Sequence, residues 1–416
     1  MTKAIDLKIG ERKLGNGLCL LAVQNPGVQT WACGVMLDVD MKDELPGEEG
    51  LASLVGECLD EGTKQRDNHE LAAAIEGLGG ALEGSASGGG VQVPAECSQK
   101  ALTLLREMLV EPAFPARELA RVKAEVLTEL RAEDDEPRAV ASREFRKLAY
   151  GPHPYGRPPR GSRQSVTSFT RADLVRFHRQ WFVPHGGYVA AAGPASVGHM
   201  LDELERAFRG LKGSPPQHLP VTPPPLPARR TAMHLPMPRE QVHVFLGHAG
   251  IKRTHPDYYA LSVMDHILGT GPGFTSRISR KLRDEQGLCY SVSASITSSA
   301  GEEPGVFAAY IGTSPQHRQR AIDGFLAEIE TIRTTLPTQD EVRDVQDYLT
   351  GSFVFGLERN TNLARYAVRT KRFDLGFDYL KRFPDLIRSV TREDVRRVAQ
   401  THLHPDRVVI VSAGAG

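Results

Sequence analysis

The chain has 416 residues, room for two or three domains at roughly 100–200 residues each. Its 51 Lys and Arg balance 51 Asp and Glu, so no basic excess marks a general nucleic-acid or anionic-membrane binder. With 40% hydrophobic and 25% charged residues it is too apolar for a disordered chain, and no stretch approaches the roughly 18 apolar residues of a membrane span.

The opening residues carry no apolar run like a signal-peptide core. Residues 18–23 and 30–39 read as strands separated by an Asn25-Pro26-Gly27 turn. Residues 49–60 read as a helix, with Leu51, Leu54, Val55 and Cys58 at core spacing. Further helices are expected at 70–78, 101–109 and 117–132. Residues 170–193 combine a Thr N-cap, an amphipathic helix, a Pro-containing turn, a strand and a Gly stop. Residues 213–230 then hold seven of the 28 prolines and predict an extended, semi-rigid connector. Beyond it come a strand at 241–247, a helix at 256–268, strands at 289–296 and near 305–312, and helices starting at Pro315 and Gln339. Residues 391–414 repeat residues 170–193 without gaps at an offset of 221, sharing Thr, Arg, Asp, Arg, Pro, Ala and Gly. The repeat closes each half and predicts two similar domains, 1–212 and 231–416, flanking the 213–230 connector. Unequal runs of strands and helices predict an α+β class. The five cysteines, Cys19, Cys33, Cys58, Cys97 and Cys289, form no CxxC pair. They predict reduced thiols in a cytoplasmic protein and no thiolate zinc site.

Several short motifs, in order along the chain, carry a resemblance. Gly50-Leu51-Ala52-Ser53-Leu54-Val55-Gly56-Glu57, followed by Gly62-Thr63, resembles the metal helix of the insulinase/pitrilysin peptidases, the M16 family. Leu78-Gly79-Gly80-Ala81-Leu82 and Glu129-Leu130-Arg131 are similar to its next landmarks. Leu268-Gly269, Ser276-Arg277 and Leu282-Arg283 with Gly287-Leu288-Cys289-Tyr290 resemble its second-half signature. The resemblance implies a half-length member with two homologous domains, each a mainly antiparallel sheet packed with helices. Active members read His-x-x-Glu-His on the metal helix. Two imidazoles one turn apart bind zinc, the intervening Glu is general base, and a Glu from a later helix completes the site. Here those positions are Ser53, Gly56 and Glu57, and only Glu129 matches. Two carboxylates and a hydroxyl suit a hard cation weakly, and Gly56 has no side chain to accept a proton from water. No HxxEH or HExxH occurs among the 14 histidines; His243, His248, His402 and His404 read as packing or surface residues.

The resemblance also assigns roles to Arg283 and Tyr290. In the family an Arg and a Tyr at this spacing reach the zinc site, the Tyr hydrogen-bonding the oxyanion and the Arg helping to hold substrate. Residues 80–90 match the family's edge strand, which receives substrate as an added strand, making Ala81 and Leu82 candidate substrate contacts. The glycines of this stretch point to a poorly pairing edge. Gly271-Pro272-Gly273-Phe274 lacks the Lys-Ser/Thr of a P-loop and follows no strand. In some non-zinc subunits of the family a Gly-rich loop here helps hold peptides, so Gly271, Gly273 and Phe274 are candidate contacts.

The expectation is a non-zinc subunit that contributes Arg283 and Tyr290 to a peptidase degrading unfolded peptides in a chamber. The zinc lies on a homologous partner chain and none on this one. An inactive scaffold or assembly protein and a peptide-binding homodimer are the alternatives. No nucleic acid or membrane partner is expected.

Overall fold

The computed structural model describes residues 7–271 and 275–415. They divide into two compact units, each discontinuous in sequence. Unit 1 runs to Leu130 and adds Pro158–Pro220 and Val354–Leu380; unit 2 takes Arg131–Arg157, Val221–Phe353 and the chain from Lys381 onward.

Unit 1 is built on strands β1 (Lys8–Lys13), β2 (Cys19–Gln24), β3 (Thr30–Met36), β4 (Ala81–Ser85), β5 (Gly88–Pro94) and β6 (Tyr188–Gly193). They lie in the order β1-β2-β6-β3-β5-β4, and only β2 and β6 pair in parallel. β2 and β6 are buried on both faces, which is why CLLAVQ and YVAAAG lack polar alternation. One face packs against helices that include Ser98–Val110, Arg171–Trp181 and Val197–Phe208, through Leu20, Trp31, Leu105, Phe177 and Leu204. On the other face the Asn360–Arg372 helix lays Leu363, Ala364, Ala367 and Val368 on Leu21, Val23, Ala190 and Ala192.

Unit 2 has strands β7 (Thr231–Pro236), β8 (Val242–Ala249), β9 (Cys289–Ser295), β10 (Val306–Thr313) and β11 (Val409–Gly414), in the order β7-β11-β8-β10-β9. Again one pair, β7 with β11, is parallel. The Pro137–Tyr150 helix covers this sheet, packing Ala141, Phe145 and Ala149 with Val409, Val411 and Ala413. Phe145 stacks on Phe245 with ring centroids 5.8 Å apart. Each sheet is thus covered by a helix drawn from the opposite half of the sequence. Both units are α+β, with mainly antiparallel sheets packed by helices.

The repeated segments share their local chemistry. Thr170 caps the Arg171–Trp181 helix and Thr391 caps the Arg392–His402 helix. Each exchanges hydrogen bonds with an Asp three residues on, Asp173 or Asp394, in a capping box. Each helix then leads to a buried strand, β6 or β11.

The proline-rich connector has no helix or strand before Thr231. His218 ties its first part to unit 1: Nδ1 is 2.8 Å from Asp43 Oδ1 and Nε2 is 3.1 Å from Asp38 Oδ2. Farther along, Arg407 Nε donates to the Pro227 carbonyl at 2.8 Å within unit 2.

Some expectations need adjustment. The helix read at 49–60 spans Leu51–Glu57, and that read at 256–268 spans Tyr258–Asp265 before widening into a π turn at His266–Thr270. Among the described residues no helix is long and apolar enough to cross a membrane.

Candidate functional site

The Leu51–Glu57 helix starts in an unusual way. Gly50 precedes it in the left-handed region at φ +90° and offers no capping side chain. The buried Glu44 carboxylate replaces that cap, accepting from Gly50 N at 3.1 Å and Ala52 N at 2.8 Å. A Cβ on Gly50 would lie 2.4 Å from Gly161 N, so the loop at Arg160–Gly161 presses against the helix start. Ser165 Oγ fixes that loop by donating to Glu49 O at 2.8 Å.

This packing brings Arg160 to the metal-helix positions. Ser53 and Glu57 lie one turn apart, and Ser53 Oγ donates to Glu57 Oε1 at 3.2 Å. Arg160 lies 3.4 Å from the same Glu57 oxygen and pairs directly with Glu129 from the Ala116–Asp134 helix. One guanidinium therefore bridges the two carboxylates. Gly56, on the same short helix, is buried against the β4–β5 turn. A Cβ there would fall 2.3 Å from the Ser85 carbonyl carbon and 2.5 Å from Ala86 N. Helix and hairpin meet backbone to backbone, and a side chain at 56 forces them apart. The cluster contains oxygen donors and a guanidinium but no imidazole.

Arg160 escaped the sequence reading. It lies in a Pro/Gly-rich loop, Gly156-Arg157-Pro158-Pro159-Arg160-Gly161, with no motif of its own. The available signal was indirect: two acidic positions without their imidazoles need a cation from somewhere.

The glycine-rich stretch corrects the expectation of poor pairing. β4 and β5 form a continuous hairpin, from Ala81 opposite Gln92 to Ser85 opposite Gly88. β4 is the outer strand of its sheet. Leu82 packs toward the core, whereas Ala81 and Glu83 line a cavity of about 340 Å³ on the opposite face. Ala32, Gly34 and Gly90 also line it, and Ala364 and Arg365 of the Asn360–Arg372 helix form another wall. Small residues at these positions leave the space open.

In unit 2, Arg283 belongs to a π-helical stretch, Ser279–Glu285, and its Nε lies 2.8 Å from Asp284 Oδ1. Tyr290 follows at the start of β9. There Cys289 pairs with Thr313 and Val292 with Ile311, so two residues of β9 face one of β10. Such a bulge re-aims side chains, and Tyr290 is 89% exposed. Burial pushes the adjacent Cys289 thiol up to about 11, while the Arg283 charge pulls it down. Gly271 follows the His266–Thr270 turn, and a Cβ there would lie 2.7 Å from His266 O. Gly273 and Phe274 lie outside the described residues.

Two family models cover most of the chain: insulinase (peptidase family M16) matches residues 20–162, and the peptidase M16 inactive domain matches 168–349. The chain belongs to the M16 peptidase family. An uncharacterized zinc protease of Streptomyces coelicolor is 26% identical over 403 residues, covering 93% of this M16 chain and 85% of that protein. An uncharacterized zinc protease of Mycobacterium tuberculosis is 28% identical over 404 residues, covering 93% and 89%. A peptidase M16 inactive domain from Pseudomonas fluorescens superposes with a TM-score of 0.91 at 26% identity, covering 99% of both chains. A protease from Helicobacter pylori shares the fold, with a TM-score of 0.89 at 20% identity over 98% of this chain and 99% of its own.

All five cysteines are unpaired thiols. Burial, reinforced by the charges of Glu61 and Glu57, pushes Cys58 up to about 12, leaving little thiolate beside the metal-helix positions.

Proposed function

We propose that this M16 chain is the non-zinc member of a two-chain peptidase. It lends Arg283 and Tyr290 to a zinc-bearing homologous subunit that degrades unfolded peptides, in a cytoplasmic setting that suits its unpaired thiols. The observation that carries this reading is the Arg160 guanidinium bridging Glu57 and Glu129. The cation at the metal-helix positions is a covalent part of the chain. The residues fit catalytic zinc poorly, because there is no imidazole and the general-base position, Gly56, is packed against backbone. No hydrolytic step is therefore assigned to this helix.

The roles left to the chain are binding and charge stabilisation. An extended peptide can pair with the outer edge of β4, with alternate side chains directed toward the cavity beside Ala81 and Glu83. Tyr290 carries a phenol that can donate to an oxyanion, and Arg283 carries a fixed positive charge for the substrate.

A paired assay tests the proposal. The purified chain is incubated with a quenched unfolded peptide, alone and after adding the zinc-bearing homologue from the same cell. Inactivity alone with strong activation on mixing is expected. Cleavage by this chain alone overturns the reading of Ser53, Gly56 and Glu57. No activation of an active zinc partner overturns the shared-site proposal in favour of a scaffold or a peptide-binding homodimer.

A further inference from the structure

The geometry points to a non-hydrolytic role for metal in this chain: a zinc-class site formed in unit 2 by His255, Asp257 and His402. Among the described residues, this is the one group of three His, Cys, Asp or Glu side chains whose ligand atoms all lie within 4.8 Å of one another. His255 and Asp257 lead into the Tyr258–Asp265 helix, and His402 is the last residue of the Arg392–His402 helix. Both supports are regular elements, so the cluster joins the start of one helix to the end of another.

The orientation of Asp257 is the informative detail. It occupies the N-cap position of its helix but makes no side-chain capping bond. Its Oδ2 instead lies 2.7 Å from His402 Nε2, and its Oδ1 lies 3.0 Å from Arg397. One carboxylate oxygen is thus held from behind while the other faces the imidazoles. Outer contacts of this kind orient carboxylate ligands in metal sites. The rings of His255 and His402 are 4.9 Å apart and nearly perpendicular. The side chains of His402 and Asp257 are 13% and 18% exposed, so packing restricts them without sealing them from solvent.

Two imidazoles and one carboxylate select zinc and neighbouring transition metals over calcium or magnesium, which prefer oxygen cages. Water from the open side completes the coordination. Two resting contacts must yield. The hydrogen bond between His402 and Asp257 breaks when the metal takes its place, the Nε2 proton of a neutral ring passing through solvent to Nδ1. His255 Nδ1, which accepts from Asp257 N at 3.1 Å, must also release that amide if the ring is to coordinate. Arg397 opposes the incoming charge while keeping its hold on Oδ1, and Asp394, 3.5 Å from it, offsets part of that charge. These costs describe a site of moderate affinity that pins the C-terminal helix, and they revise the reading of His402 as a mere packing residue.

The test uses the full chain, stripped with a chelator and dialysed against Zn²⁺, with Co²⁺ as a spectroscopic probe. One Zn²⁺ per chain, a zinc-dependent rise in Tm and a tetrahedral or five-coordinate Co²⁺ spectrum are expected. His255→Gln and His402→Gln, each checked for native circular dichroism, should weaken binding by more than about tenfold, the lower end of outer-contact effects. Glu57→Gln with Glu129→Gln should leave it unchanged. His255 is only partly buried, so its variant provides a test even if His402→Gln unfolds. No bound zinc, or undiminished zinc in a folded His255→Gln chain, overturns the proposal. Zinc lost only from the Glu57/Glu129 variant does so too, by placing the metal at the other helix.

Discussion

Around the Leu51–Glu57 helix of unit 1, each carboxylate has a partner within the unit: Glu57 meets Ser53 and Arg160, and Glu129 meets Arg160. At the head of β9 in unit 2, Tyr290 projects from a bulge with 89% of its surface exposed. The first arrangement sets one guanidinium against two carboxylates and offsets part of their charge within the unit. The second leaves a phenol available to another molecule. In the proposed function, the charge-stabilising groups left to the chain therefore lie in unit 2 and not at the helix of unit 1.

Replacing the unit 2 groups tests this contrast most directly. Arg283→Ala or Tyr290→Phe should lower turnover of the mixed assembly by about 10²-fold, the effect of losing one oxyanion donor. Equal turnover would remove the functional side of the contrast. In unit 1, Gly56→Ala should destabilise the fold by about 1–3 kcal/mol, because its Cβ meets the Ser85–Ala86 backbone. Urea unfolding checks this, and unchanged stability would show that the hairpin yields freely.

Arg160→Met should cost less, about 0–1 kcal/mol, since Arg160 and both its partners are substantially exposed. It should also uncover weak manganese binding by Glu57 and Glu129, measured by equilibrium dialysis. Equal binding in the unsubstituted chain would mean that Arg160 is not what excludes a cation.

The smallest effect concerns His218, another side chain held between carboxylates in unit 1. Both nitrogens of His218 face carboxylates, and only an imidazolium can donate from both. Burial lowers its pKa, but the hydrogen bond and charge of Asp43, then those of Asp38, raise it overall. A raised folded value gives stability that is complete below the unfolded value near 6.5 and lost as pH rises through the folded one. His218→Gln should flatten stability over that window. An unchanged pH profile would remove His218 from the contrast.

The legible parts of this molecule were local. Thr170 with Asp173 and Thr391 with Asp394 sit three residues apart, so both capped helices could be read directly. The fold class followed from the repeat and the motifs. The Pro137–Tyr150 and Asn360–Arg372 helices were harder, because the sheets that bury them are assembled from distant parts of the sequence. The site shows the same division. Ser53, Gly56, Glu57 and Glu129 could be placed by motif, whereas Arg160 reaches them only through the contact of Gly50 with the Arg160–Gly161 backbone. Likewise, no local pattern announces the pairing irregularity between β9 and β10 beside the exposed Tyr290.

The crossed ownership of those two covering helices also constrains inheritance. A gene divided at the proline-rich connector would send the Asn360–Arg372 helix away with the second fragment and leave Pro137–Tyr150 behind in the first. The first product would be born with Leu21, Val23, Ala190 and Ala192 uncovered, an apolar surface prone to aggregation. Co-translated fragments could complement each other, but neither half could be shuffled alone into a new protein without losing part of its core. The obvious seam in the sequence is therefore a poor place for evolution, or an engineer, to cut.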